Sequence, residues 1–338
     1  MLRLPPFTYL APSSLEEAVD ALREHGANAM IVAGGTDLYP NLKRRQFEPE
    51  VLVGLANIPE LRRIEGTPET GMILGAGATL REVSAHPVLR ERYFAVAKAA
   101  GLVSTTPLRN MGTVGGNLCV DPRCNYYNMP FPWRKAVGFC LKKEGDTCLV
   151  APGSPRCWAL SSSDLAPVSL ALEGRLRLLG PNGEREVEAD GFYRDDGIAY
   201  LAKERDEVLT EIRLPPAEGL RTTYWKLRRR GSFDFPILGV AAALTMDDGT
   251  VKRARLALGA VASRPKEVRE AREFLEGKEP QEADVDAVAE AAFEIAKPLD
   301  NADGHFYWRK RMVRPYVKGA LKELLQMGPP ESWPQEYN

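Results

Sequence analysis

Residues 109–124 read RNMGTVGGNLCVDPRC. The stretch opens as a glycine turn and closes on a cysteine, and each half has a companion elsewhere in the chain. Upstream, residues 33–38, AGGTDL, place a second glycine pair after the short apolar run AMIV. Glycine permits positive φ and lets backbone N–H groups close on an anion. Gly34-Gly35 and Gly115-Gly116 therefore read as two nests able to grip a diphosphate from opposite sides, although either pair alone is equally a plain tight turn. Neither pair carries the G-x-G-x-x-G fingerprint or the Walker lysine, so Rossmann and P-loop readings are poor.

Downstream lie all five cysteines: Cys119, Cys124, Cys140, Cys148 and Cys157. An odd number, with no signal peptide ahead of it, argues against a disulfide framework. Pro122, Pro130, Pro132, Pro152 and Pro155 break any periodicity across the same window, as in a long functional loop. The last four cysteines are spaced C-x15-C-x7-C-x8-C. Four thiolates meet the external valences of a cubane iron–sulfur cluster. Structural zinc competes for the same donors, but its sites usually pair ligands at C-x2–4-C, and no gap here is so short.

The rest of the chain reads as mixed α and β. Ser14 and Glu17 open a helix over 13–26. Short strands are expected at 29–32, 51–55 and 72–75, a helix begins after Thr79, and another spans 94–100. A hairpin turns about Pro181-Asn182-Gly183, and strands follow near 207–214 and 222–227. Beyond Pro236, ILGVAAALTM and VKRARLALGAV form a second hairpin, followed by helices over 265–276, 282–296 and 307–325. At 338 residues the chain exceeds one ordinary core.

The net charge of −1, without a long single-sign run, gives the surface no attraction for nucleic acid or an anionic membrane. The apolar runs are too short to span a bilayer, and the first residues lack the apolar block of a signal peptide, so a cytoplasmic location is expected. His25, His86 and His305 lie on separate segments, and no catalytic residue is assigned.

The order of the pieces carries a resemblance. AGGTDL, then RNMGTVGGN, then SDLAP at 163–167, then Tyr224-Trp225-Lys226, with SRPKEVREAREFL and YWRKR near the C-terminus, closely resembles the FAD-binding medium subunit of molybdenum hydroxylases, the xanthine oxidase family. The resemblance implies an α+β chain: an FAD-binding domain of two α/β subdomains (1–57 and 58–218, the second with an insertion over 119–158) and a C-terminal α+β domain (219–338) like that of the CO dehydrogenase flavoprotein. It further implies that Ala33, Gly34, Gly35, Thr36, Asp37 and Leu38, with Thr113, Val114, Gly115, Gly116 and Asn117, hold the FAD diphosphate. Asp164 would bind the ribose or adenine side, and Leu209 and Lys226 would lie near the flavin ring.

Simpler family members pass quickly from GGN to SDL. The insertion here resembles that of the 4-hydroxybenzoyl-CoA reductase β subunit, which implies a 4Fe-4S cluster on Cys124, Cys140, Cys148 and Cys157, with Cys119 left over. The implied partners are a molybdenum-cofactor large subunit and a 2Fe-2S small subunit, as a heterotrimer, and a ferredoxin-like or other external redox protein. An aldehyde or purine oxidoreductase subunit and a flavin-less zinc scaffold are the alternatives. The insertion is expected to sit outside an otherwise complete fold, with Trp133, Trp158, Tyr126 and Tyr127 packing it.

Overall fold

The computed structural model describes residues 2–327. Three sheets succeed one another along the chain. The first is parallel, β1 (Thr8–Leu10), β3 (Val51–Gly54) and β2 (Ala29–Val32), in that spatial order. The second contains β4 (Ile64–Thr67), β5 (Gly71–Gly75), β6 (Arg175–Gly180), β7 (Gly183–Glu188) and β8 (Val208–Leu214), ordered β4-β5-β8-β6-β7. The third is antiparallel, β12-β11-β10-β9, from β9 (Leu220–Leu227), β10 (Leu238–Asp247), β11 (Thr250–Gly259) and β12 (Lys266–Glu267). This mixed α/β architecture agrees with the expected fold class.

The uninterrupted apolar run of β10 follows from burial on both faces. Ala241 and Ala243 face the core shared with the first two sheets, whereas Val240, Ala242 and Leu244 face the C-terminal helices. Alanines on the first of these faces let the Leu165–Ala171 helix pack close to β10 and β11; Pro167 of that helix lies 3.0 Å from where a Cβ on Gly259 would stand.

The N-terminal helix runs Leu15–His25 with Ser14 as its cap, and Thr79 and Glu82 form a reciprocal capping box, both as the sequence indicates. Two helical expectations are corrected. Over 265–276 the chain first adds β12 to the sheet edge, the Val268 N–H bonding Leu256 O at 2.8 Å, and only then forms the helix Glu270–Leu275. The 307–325 helix breaks at Met312 into Phe306–Arg311 and Val313–Leu325. Pro315 lies in the first turn of the second piece, where its missing N–H is tolerated. The edge strands β1 and β4 were not expected, being too short for periodicity to register.

Candidate functional site

The first glycine segment leaves β2 and turns into the helix Leu38–Lys43. Gly35 has φ +69°, and a Cβ there would stand 2.3 Å from the Tyr39 ring. Gly34 lies against Met111: a Cβ would stand 1.8 Å from the Met111 carbonyl oxygen. The two glycine segments, far apart in sequence, are thus in contact. Among the described residues, no hydrogen bond is donated by the N–H groups of Gly34, Gly35, Thr36, Asp37 or Leu38. Five successive half-buried amides are thus left without a protein acceptor and could receive an anion.

The second segment is built differently. Val114 and Gly115 donate to Ala78 O and Ala76 O at 2.9 and 2.8 Å, Gly116 to the Thr113 hydroxyl at 3.1 Å, and Asn117 to Thr113 O at 3.0 Å. Four of the amides that the resemblance assigns to the diphosphate are therefore already committed. The Asn117 side chain is also engaged, accepting from Ser163 Oγ at 2.9 Å and from Leu165 N at 3.0 Å. What this segment offers a ligand is close approach at exposed Gly116, whose φ is ordinary and whose Cβ position meets only Thr113 Oγ1.

Asp164 precedes the Leu165–Ala171 helix without capping it. Its carboxylate accepts from Lys226 Nζ at 3.0 Å and from Tyr224 Oη at 2.8 Å, both side chains of the pair being almost fully buried. Lys226 also donates to Leu102 O at 3.0 Å. Burial pushes the Asp164 carboxyl up and the Lys226 ammonium down, and each partner opposes the other's shift. Leu209 is a buried core residue of β8 opposite Leu178, on a different sheet from Lys226. An open cleft of about 450 Å³, lined by Arg92, Ala217, Gly219, Arg221 and Met246 among others, includes none of these residues.

Cys124, Cys140, Cys148 and Cys157 are all buried, and none is disulfide-bonded. Cys124, Cys140 and Cys157 share one small buried cluster, and Cys148 lies within electrostatic reach of Cys124 and Cys157; burial pushes the Cys124 thiol up to about 11 and that of Cys157 to about 12. Cys119 stands apart, with Lys203 as its charged neighbour, raised by burial to about 11. Gly197 leaves room beside the group: a Cβ there would lie 2.7 Å from Cys157 Sγ. Among the described residues, no group of three or more His, Cys, Asp or Glu side chains is arranged to hold a metal ion. Tyr127 is buried in the same cluster, Tyr126 packs on Trp133, and the Arg156 guanidinium stacks on Trp158 at 3.7 Å.

Residues 5–217 match the FAD binding domain in molybdopterin dehydrogenase, and residues 222–324 the CO dehydrogenase flavoprotein C-terminal domain. The chain belongs to the FAD-binding medium subunits of the molybdenum hydroxylases. It is 32% identical to the carbon monoxide dehydrogenase medium chain of Hydrogenophaga pseudoflava, covering 94% of this chain and 96% of that one. The aldehyde oxidoreductase FAD-binding subunit PaoB of Escherichia coli (strain K12) is 30% identical over 77% of this chain and 82% of its own. The solved carbon monoxide dehydrogenase from Hydrogenophaga pseudoflava that lacks the Mo-pyranopterin moiety superposes with a TM-score of 0.79 at 31% identity, over 96% of this chain and 99% of that one.

Within this medium subunit the insertion is not an external addition, contrary to the expectation from sequence. Its neck is closed by the Arg123–Leu160 bridge. Arg134, 2% exposed, donates to Arg44 O at 2.7 Å, and Gln46 donates to Tyr127 O at 2.9 Å, which ties the loop to the first sheet's helix. On the other side Asn125 N bonds Asn301 O at 2.9 Å, and Asn301 Nδ2 bonds Trp158 O at 2.6 Å. Arg309 of the YWRKR segment secures that contact from beneath, donating to Leu299 O and Ala260 O at 2.9 and 2.8 Å. Arg123, Arg134, Asn301 and Gly197 carry no spacing signal; only the buried arginines, unusual as a class, could have hinted at them.

Proposed function

We propose that this oxidoreductase subunit binds FAD and a 4Fe-4S cluster and relays electrons within a molybdenum hydroxylase heterotrimer, most like 4-hydroxybenzoyl-CoA reductase. The first unit (1–57) would supply the free amides of 34–38 to the diphosphate. The second (58–218) would supply Thr113 and the open approach at Gly116, and the third (219–338) the Lys226 side of the site. Bound FAD would exchange electrons in pairs and the cluster singly. The chain's own part is to hold the two, keep water from the thiols and present the assembly to neighbouring subunits.

The observation that carries this reading is that four cysteines, all buried and none bridged, lie in one loop tied to the first glycine segment through Arg123, three of them in a single buried cluster. Their donor chemistry fits a cubane, which spreads its thiolates over four irons; one tetrahedral ion would need them drawn to a point. Under this reading electrons enter from a low-potential, ferredoxin-like donor and leave for the 2Fe-2S and molybdenum subunits. The likeness to an aldehyde oxidoreductase FAD-binding subunit favours a second reading, in which the same carriers run outward to an acceptor. Anaerobically purified protein is expected to hold about one FAD and about four irons with four sulfides per chain. Zinc in place of iron refutes the cluster, and rapid mixing of the complex with a reduced donor or with substrate decides the direction.

A further inference from the structure

Arg123 immediately precedes Cys124, yet its side chain reaches back into the first glycine segment. In this residue, 7% exposed, the guanidinium forms an ion pair with the Asp37 carboxylate and donates to Asn41 Oδ1 at 3.2 Å; its carbon lies 4.9 Å from the Phe235 ring centre. Asn41 in turn donates to Asp37 Oδ2 at 3.0 Å. Asp37 is an awkward residue in its place. Its backbone belongs to the run of free amides, so its carboxylate adds a negative charge close to where a diphosphate would be received.

We propose that Arg123 is a positioning residue that neutralises Asp37 and thereby makes flavin binding depend on the state of the cysteine loop. The inference rests on the reading that residues 34–38 receive the FAD diphosphate and that the four cysteines hold a cluster. Arg123 is fixed from both sides. Its backbone exchanges hydrogen bonds with Leu160 at 2.9 and 2.6 Å, closing the neck, and its successor, Cys124, is one of the buried loop thiols. A metal-filled loop holds the neck shut and the guanidinium on Asp37. An emptied loop frees the neck, and the carboxylate loses its counter-charge beside the phosphates. Loss of the cluster would thus be signalled as loss of flavin affinity, with no residue shared between the two sites.

The test measures FAD dissociation constants on the full-length chain for wild type, R123M, D37N and D37N/R123M, before and after iron chelation, with iron counted and a thermal melt recorded for each. R123M is expected to weaken FAD binding by about tenfold or more, as for an uncompensated charge beside a bound anion. D37N in the same background should recover most of that loss, because the repelling charge has gone; a role for Arg123 in the neck alone predicts no recovery and overturns the proposal. Chelation should weaken FAD in wild type and much less in D37N/R123M, and equal affinities before and after overturn the coupling. Should R123M fail to fold, R123K, which keeps the charge, is expected to stay near wild-type FAD affinity and R123Q, which loses it, to weaken FAD about tenfold; equal affinities in the two overturn the proposal. If no preparation binds iron, the cluster reading fails by itself, while R123M against D37N/R123M still decides the role of Arg123.

Discussion

Gly35 and Gly116 look equivalent in sequence and are not. A side chain at Gly35 is opposed by its φ of +69° and by Tyr39, so substitution there distorts the loop whether or not flavin binds. Gly116 has ordinary φ and only Thr113 Oγ1 near its Cβ position. Gly116→Ala is therefore the cleaner probe of close ligand approach. It should leave the melting temperature of flavin-free protein nearly unchanged while reducing FAD content. Full flavin content in that variant would mean the diphosphate does not approach there. The buried Asp164–Lys226 pair makes the opposite expectation. Lys226→Met leaves a carboxylate in the interior with only Tyr224 donating to it, and breaking such a pair costs about 3–5 kcal/mol. Denaturant unfolding of the flavin-free variant should show that loss; undiminished stability would make Lys226 a ligand-facing residue rather than a structural one.

Among elements, the insertion was legible in composition and illegible in attachment. Cysteine spacing and proline density mark a loop with its own chemistry, because ligand sets and chain breakers leave local signatures. The helix Phe131–Ala136 within it was missed, since a six-residue helix starting at Pro130-Phe131-Pro132 shows no full period. Its attachments were missed for another reason: most run to or between backbone groups, which every residue has, and the Arg123–Asp37 pair joins residues far apart in sequence. Excising 121–157 therefore removes more than the site of the proposed cluster. Arg134 leaves the Arg44 and Arg45 carbonyls unserved, Tyr127 leaves the Gln46 amide, and Arg123 leaves Asp37. The excised chain is expected to lose flavin and to melt at lower temperature. Replacing Cys124, Cys140, Cys148 or Cys157 singly by Ser should remove iron while the chain still folds, and Cys119→Ser should keep it. Iron retention in any of the four, or its loss with Cys119→Ser, shows the ligand set to be wrong.

At the scale of the whole molecule, three sheets share one loop. That the chain mixes strands and helices was readable because hydrophobic period separates strands buried on both faces, such as β10, from half-buried ones such as β6, whereas the domain arrangement came from the resemblance of the ordered motifs. That the loop binds the sheets together was not readable, because the contacts join residues scarcely related in sequence distance, from Asp37 and Gln46 to Asn301. The consequence concerns how disturbance spreads. The β10–β11 core rests on Val240, Leu244, Leu256 and the C-terminal helices, with no contribution from the cysteines. The contacts at 37–46, 262–263 and 299–309 involve the loop: Ser263 Oγ donates to Cys157 O at 3.4 Å, and Asn301 holds both flanks of the insertion. If the proposed cluster is bound, chelating its iron should therefore raise amide hydrogen exchange in those three peripheral segments and leave β10 and β11 protected at the global level. Uniform deprotection would mean that the metal supports the whole fold. Exchange confined to 124–157 would mean that the loop opens without disturbing its neighbours, and the ties through Arg123, Arg134 and Asn301 would then be too weak to carry its state to the rest of the chain.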